Sequence, residues 1–509
     1  LKNPAERGAQ AGAAELEVKE VLESSPTRDI VLVEGSSIPV YMVKSPQLTP
    51  AERAALSSLK EKLVDEIKIE PGKIPLEERE KVFVREGLKV IERVTKEIPS
   101  DRKKFLLELI ANEMVGYGPL APMLADDNLE DVMIIGLGAP VHIFHQKYGM
   151  CATNVYFRDE HSIMAIIDKA SRDAGRRIDL RQPLIDSRMP DGNRLNIIIP
   201  PISLTGPILS IRKFKSTALS VLDLIKLGTL STDSAAFLWL LVEGMGVRPA
   251  NMLFAGGTGC GKTTTLGALS SFVPERERVI TIEDAAELKL PHRHWIRLET
   301  RLPVEALEEV TVDQLVRNSL RMRPDRLIIG EARGLGIPTV FTAFSGHTGC
   351  MCTIHSNTTA EETLARLTRP PISVPELLIS AVDAIVMQRR LLIKNKYIRR
   401  VTEIAEVVGV EGGKVKLNRT HKWNPGTDEI RQVDTPSLVL QQISEVSGIP
   451  QKDILKELKR REEVLKLMLG REMDVFSVNR AIQDYYSDPD GALEVLERQR
   501  PPSESAKDI

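Results

Sequence analysis

The 509-residue sequence predicts an α/β protein, in which a C-terminal domain of alternating strands and helices surrounds a phosphate-binding loop. An α+β domain and a helical leader precede it. Three observations predict this. The glycine-rich segment Gly256–Thr263 lies between an apolar, strand-like run and a helix-like run. Short apolar runs recur after it at Val279–Ile282 and Leu327–Gly330, separated by helix-like stretches, as a parallel sheet requires. Before it, strand alternation and helical spacing are mixed without that regular succession, which is the pattern of an α+β domain.

In chain order, residues 1–100 are rich in Glu and Lys. Leu56, Leu59, Leu63 and Ile67, and then Leu88, Ile91 and Val94, fall at helical spacing. They predict a helical leader that serves as a solvated docking or packing layer and carries no chemistry. The first residues, Leu1 to Arg7, lack the apolar core of a signal peptide. Residues 101–218 form the expected α+β domain, with strands at Val132–Ile135, Val141–Phe144 and Leu195–Ile199. Residues 219–230 read as an interdomain linker, and 231–499 as the α/β domain with C-terminal helices. That domain opens with an apolar helix, Ala235–Val242, followed by a strand, Asn251–Ala255. Thr359-Ala360-Glu361-Glu362 fits a capping box. Gln451–Leu469 reads as an amphipathic helix with Ile454, Leu455, Leu458, Leu465 and Met468 on one side. Residues 500–509, with Pro501-Pro502, are expected to be disordered.

Composition bounds the function. With 69 Lys+Arg against 71 Asp+Glu, the formal charge is -2, which argues against the basic field of a general nucleic-acid binder. Aromatic residues make up 4%, too few for an evident base-stacking platform. Cys151, Cys260, Cys350 and Cys352 have neither a disulfide-framework pattern nor the paired spacing of a zinc site, so a reducing cytosol fits best. No uninterrupted apolar run of about eighteen residues occurs, so membrane association is expected to go through a partner.

The chemistry-bearing segment is Gly256-Gly257-Thr258-Gly259-Cys260-Gly261-Lys262-Thr263, followed by Thr264. Glycines let consecutive backbone N–H groups converge on phosphate oxygens, and the following helix N-terminus adds its dipole. Lys262 is placed to reach the β- and γ-phosphates of a nucleotide and Thr263 to ligate Mg²⁺. Cys260 sits at a variable position of the loop, and its place beside phosphate predicts that alkylation blocks nucleotide binding. Downstream, Ile280-Thr281-Ile282-Glu283-Asp284 ends a strand in two carboxylates roughly twenty residues on, where an open α/β sheet has its ligand crevice. Read alone, this is a capping pair. Leu327-Ile328-Ile329-Gly330-Glu331-Ala332-Arg333 is a second apolar strand, with its acid one position beyond a glycine. Gly346 to Asn357 carries His347 and His355 on either side of a short strand, and a lone histidine is more often structural than catalytic.

The order of these elements, phosphate loop, Ile-Glu-Asp, Gly-Glu-Ala-Arg and Thr-Ile-His, resembles that of the secretion ATPases of type II secretion, type IV pilus, Tad pilus and archaellum systems. There they are the Walker A, Asp, Walker B and His boxes. Upstream, Tyr117-Gly118-Pro119-Leu120, Arg188-Met189-Pro190-Asp191-Gly192-Asn193-Arg194 and Ser210-Ile211-Arg212 resemble that family's N-terminal domain, so the similarity covers roughly residues 105–410. The resemblance implies a RecA-like P-loop NTPase domain preceded by a PAS-like domain, working as a homo-hexamer on ATP and Mg²⁺. It implies roles for Glu283 in polarising water, for Glu331 in holding Mg²⁺ or that water, and for His355 in sensing the γ-phosphate. Arg188, Arg194 and Arg212 become candidates for closing onto ATP. The implied partner is a polytopic inner-membrane platform protein, with the motor cytoplasmic and peripheral at that membrane. The chain lacks the four-cysteine zinc module of many bacterial type II members, and its boxes are more similar to archaeal and Tad-type ones. The competing reading is a RecA-like nucleic-acid translocase or helicase, against which the charge balance counts.

Overall fold

Two large sheets organise the computed structural model, which describes residues 17–44, 48–66, 76–94, 98–114, 116–214, 218–301, 308–356, 359–393, 396–411 and 414–498. The chain divides into two compact units, Leu1–Lys215 and Ser216–Ile509.

Among the described residues, the first unit contains a nine-stranded sheet. Its strands are β1 (Val18–Ser24), β2 (Arg28–Val33), β3 (Val40–Val43), β4 (Leu129–Ile135), β5 (Pro140–His145), β6 (Gly149–Tyr156), β7 (Leu184–Arg188), β8 (Arg194–Ile198) and β9 (Ile208–Arg212). Their order is β1-β2-β3-β6-β5-β4-β9-β8-β7. Neighbours are antiparallel except β3 and β6, which pair parallel at Val40 with Ala152. The helix Glu160–Asp173, capped by the Asp159 side chain on Ser162 N–H, buries Ile163, Ile167 and Ala170 in the core that includes Val132, Ile143 and Ile197. Three further helices, Pro50–Glu66, Leu76–Val94 and Ser100–Met114, close a separate apolar cluster around Leu59, Leu63, Phe83, Ile91, Leu107 and Ile110.

The helical-leader expectation is therefore corrected over residues 18–43, which form β1 to β3 and extend the sheet of the α+β unit. Burial explains the outcome. Ile30, Val31, Val40 and Tyr41 are buried, and Tyr41 donates its hydroxyl to Asp126 at 2.9 Å. The helical part of the expectation holds for Leu59, Leu63 and Ile91, whereas Ile67 and residues 500–509 lie outside the described residues.

In the second unit the strands are β10 (Met252–Gly256), β11 (Val279–Glu283), β12 (Trp295–Glu299), β13 (Arg326–Ala332), β14 (Met351–His355), β15 (Ala384–Ile393), β16 (Lys396–Glu411), β17 (Lys414–Asn424) and β18 (Glu429–Gln432). They lie in the order β12-β11-β13-β14-β10-β15-β16-β17-β18. From β12 to β15 neighbouring strands run parallel, and from β15 onward antiparallel. Every residue of β10 is buried, as expected for a central strand covered on both faces. Its alternate residues serve two cores: Met252 and Phe254 face one, Leu253 and Ala255 the other.

The expected linker at 219–230 is also corrected. Val221–Lys226 is a helix with a Ser220/Asp223 capping box, and Val221, Leu222, Leu224 and Leu230 are buried in the core of the second unit. These apolar side chains would be costly to leave in water, so the segment packs. The C-terminal helix Gln451–Leu469 buries Ile454, Leu465 and Met468, but Leu455 points outward at 43% exposure. The helices Gln451–Leu469 and Val475–Ser487 close over Trp239, whose indole N–H donates to Tyr486 at 2.7 Å and which stacks on Phe272. Among the described residues no helix is long and apolar enough to cross a membrane.

Candidate functional site

The site forms at the edge of the second sheet where its parallel strands end. There β10 delivers the loop 256–261 into the helix Lys262–Leu269. Gly259 and Gly261 take φ of +68° and +94°, the left-handed region that side-chain-bearing residues avoid, so the tight turn requires glycine at both. Lys262 is buried at 8% exposure, and its Nζ donates to the carbonyls of Gly256 at 3.0 Å and Gly257 at 3.2 Å. Thr263 is half-buried and Thr264 exposed on the first turn of the helix. Cys260 turns inward at 1% exposure and burial pushes its thiol up, so it does not present a reactive thiolate.

Strand order places the other elements. β14 lies between β10 and β13. Gly256 pairs directly with His355, and Ser356 N–H donates to the Gly256 carbonyl at 3.1 Å, so the exposed His355 flanks the start of the loop. The register between β13 and β14 shifts between Ile329 and Ala332, which makes Gly330 and Glu331 a bulge opposite Thr353. Thr353 pins that bulge by donating its hydroxyl to the Gly330 carbonyl. A bulge re-aims a side chain, and the acid one residue past the glycine sits in it. Burial raises the Glu331 pKa, but the Arg333 guanidinium at 2.7 Å, with the charges of Lys262 and His355, holds it below the usual carboxylate range.

Glu283 ends β11. It is buried at 2% exposure, and its Oε1 accepts from Glu287 N–H and Leu288 N–H, both at 2.9 Å. Its Oε2 is buried without a hydrogen-bond partner among the described residues. Burial pushes its pKa up to about 7 even though the two backbone donors lower it. A Cβ on Gly330 would lie 2.8 Å from the Glu283 Cγ, so Glu283 packs beneath the bulge that carries Glu331.

Arg188, Arg194 and Arg212 belong to the first unit and form one row. Arg188 pairs with Arg194, Arg194 with Arg212, and Arg212 with Asp131, across β7, β8, β9 and β4. Directly paired residues project from the same face. Arg194 is bridged to Asp186 at 2.8 Å and Arg212 to Asp131 at 3.0 Å, while the Arg188 guanidinium lies 5.8 Å from the Phe214 ring centroid.

Sequence reasoning missed the residues that brace the loop from its other side. Gln388 Nε2 donates to the Cys260 carbonyl at 2.8 Å and Arg399 Nε to the Gly259 carbonyl at 3.0 Å. Arg390 lies so close to Gly259 that a Cβ there would sit 2.8 Å from its guanidinium. These residues follow the loop by more than a hundred positions, and no local spacing links them to it.

Residues 113–438 match the family model described as Type II/IV secretion system protein. The chain belongs to the type II/IV secretion system ATPase family. This secretion-system family member is 34% identical over 400 residues to an uncharacterised protein of Methanocaldococcus jannaschii, covering 76% of this chain and 70% of that one. A second uncharacterised protein of the same organism is 47% identical over 238 residues, 46% of this chain and 33% of the relative, so the chain spans about a third of that relative's length. Among solved structures, the VirB11 ATPase of the Brucella suis type IV secretion system, in complex with sulphate, is 25% identical. That match covers 56% of this chain and 91% of that one, with a TM-score of 0.28.

Proposed function

We propose that the chain is an ATP-hydrolysing motor that works as a homo-hexamer at the cytoplasmic membrane face. There it passes ATP-driven domain motion to a polytopic membrane partner and powers type II secretion or the assembly of a type IV pilus-like filament. One observation carries the reading. A single sheet edge gathers the loop of Lys262, the bulged Glu331 and a His355 paired with the first loop residue. Phosphoryl transfer needs positioning and charge compensation more than covalent help, and this edge offers both.

Backbone N–H groups of Gly257 to Thr263 and the Lys262 ammonium would hold the phosphates, with Thr264 beside them on the first turn. The Thr263 hydroxyl and the Glu331 carboxylate are hard oxygen donors that suit Mg²⁺. A bound Mg²⁺ would neutralise charge on the β- and γ-phosphates. We assign Glu331 to the metal or the attacking water, because it lies in the field of Lys262 and His355 and is kept ionised by Arg333. Glu283, buried beneath the bulge, is assigned to positioning Glu331. His355 senses the γ-phosphate, and the row Arg188, Arg194 and Arg212 supplies further positive charge when the units close on ATP.

Glu331→Gln keeps the side chain's shape and removes its charge. Equilibrium binding and phosphate-release assays should find ATP still bound and turnover down on the order of a hundredfold or more. Turnover at the wild-type rate would contradict the assignment.

A further inference from the structure

Asp284 and Arg333 face each other across the sheet edge that carries Glu331. Asp284 directly follows β11 and Arg333 directly follows β13, and these strands are parallel neighbours. Both residues therefore leave the sheet at one edge, beside the bulge. Arg333 keeps an extended backbone, with φ of −132° and ψ of 148°, and its side chain returns to Glu331 two positions earlier. There its Nη2 donates to Glu331 Oε2 at 2.7 Å, while its Nε stops 4.0 Å from Asp284 Oδ2. The other Asp284 oxygen is engaged, since Oδ1 accepts from the Thr300 hydroxyl at 3.4 Å. One cation thus stands between two carboxylates, bonded to the first and short of the second.

A carboxylate bonded to a guanidinium is a poor metal ligand, because one oxygen is occupied and the charge is already offset. Glu331 must give up Arg333 before it can serve a nucleotide. Arg333 is free to leave: its side chain is 59% exposed, and ion pairs this open to water are individually weak, so exchanging one acid for another is close to balance. Asp284 is the acid within reach, and Glu287, in the same turn, adds to the field that favours the guanidinium there. We propose that Asp284 is a positioning residue of the reaction. When the nucleotide binds, Asp284 takes Arg333 off Glu331 and leaves that carboxylate open to Mg²⁺. No atom of Asp284 touches the ligand in this role. The proposal rests on the assignment of Glu331 to the reacting end of the nucleotide, and it adds what releases Glu331 for that work.

The test measures metal binding rather than turnover alone, on the whole chain loaded with a nonhydrolysable ATP analogue, with Mn²⁺ in place of Mg²⁺ and its paramagnetic signal as the readout. Asp284→Asn keeps the side chain's shape and removes its charge. It should bind the analogue within about twofold of the wild type, yet weaken Mn²⁺ roughly tenfold or more and slow ATP turnover by a similar factor. Where Arg333→Ala is already in place there is no cation to draw away, so adding Asp284→Asn should change Mn²⁺ affinity by less than about twofold. Wild-type affinity for the analogue in that double variant shows that it folds. An equal loss of Mn²⁺ in both backgrounds would mean that Asp284 acts on the metal or the fold by itself, and no loss in the wild-type background that Glu331 needs no release. Weakening of the analogue itself by Arg333→Ala, roughly tenfold or more, would put Arg333 on a phosphate instead. Each of these results overturns the positioning role. Glu331→Gln should weaken Mn²⁺ at least as far as Asp284→Asn does. Unchanged Mn²⁺ affinity there would remove the metal role on which the proposal rests, and the proposal with it, while leaving the phosphate cradle intact.

Discussion

Glu283 is a carboxyl taken out of water beside two backbone donors that engage only one of its oxygens. Its pKa of about 7 against an ordinary 4.5 means that between those values the folded protein keeps a proton the unfolded chain has released. Stability therefore falls as pH rises from 4.5 to about 7 and is level above that. Glu283→Gln removes the titration. Denaturant melts should find the variant more stable than the wild type at about pH 8, by on the order of 2–3 kcal/mol, with the difference shrinking toward zero below the ordinary carboxyl pKa. A difference independent of pH would contradict this account of the residue. At this scale the sequence was informative where chemistry is local: the glycines, Lys262 and Thr263 occupy consecutive positions, and Glu331 and His355 end recognisable strands. Glu283 also ends a strand, yet its burial depends on the turn at 284–288 folding back over it, which no spacing announces. Gln388, Arg390 and Arg399 were illegible for a related reason, because only the pairing of β15 with β10 brings them to the loop.

Among the elements, those with strong periodicity were legible and those made by long-range pairing were not. The helix Gln451–Leu469 appears as the pattern indicates except that Leu455 points outward, and the Thr359 capping box forms as expected. The strands β1 to β3 did not stand out because the Glu- and Lys-rich surroundings dominate that stretch. The signal was nevertheless present in Ile30-Val31-Leu32-Val33, an apolar run rich in β-branched residues and bounded by Ser25-Pro26 and by Gly35-Ser36. The supposed linker was misread because one short capped helix between two folded units resembles a connection until its burial is known. Packing of the C-terminal helices centres on Arg461, which is 3% exposed and donates to Glu243 and Glu457, both at 2.9 Å, tying the helix Gln451–Leu469 to the helix Thr232–Glu243. Removing one acid from such a buried set strands a charge. Glu243→Ala should lower unfolding stability by roughly 3–5 kcal/mol, read by chemical denaturation. A change within about 0.5 kcal/mol, as at an ordinary surface site, would show that Glu457 alone suffices.

For the whole molecule, the division of labour follows the two sheets. The second unit holds the loop, both box acids, His355 and the β15–β16 hairpin on one largely parallel sheet, so a common scaffold fixes their spacing. The first unit presents Arg188, Arg194 and Arg212 as one row on an almost entirely antiparallel sheet. Hydrolysis itself is the central claim, and it is tested most directly by steady-state phosphate release from ATP and Mg²⁺ by the full-length chain beside its Lys262→Ala variant. The account predicts Mg²⁺-dependent release by the wild type that falls to background in the variant. Equal release by the two proteins, or none from a wild type shown to be folded and to bind ATP, would contradict it.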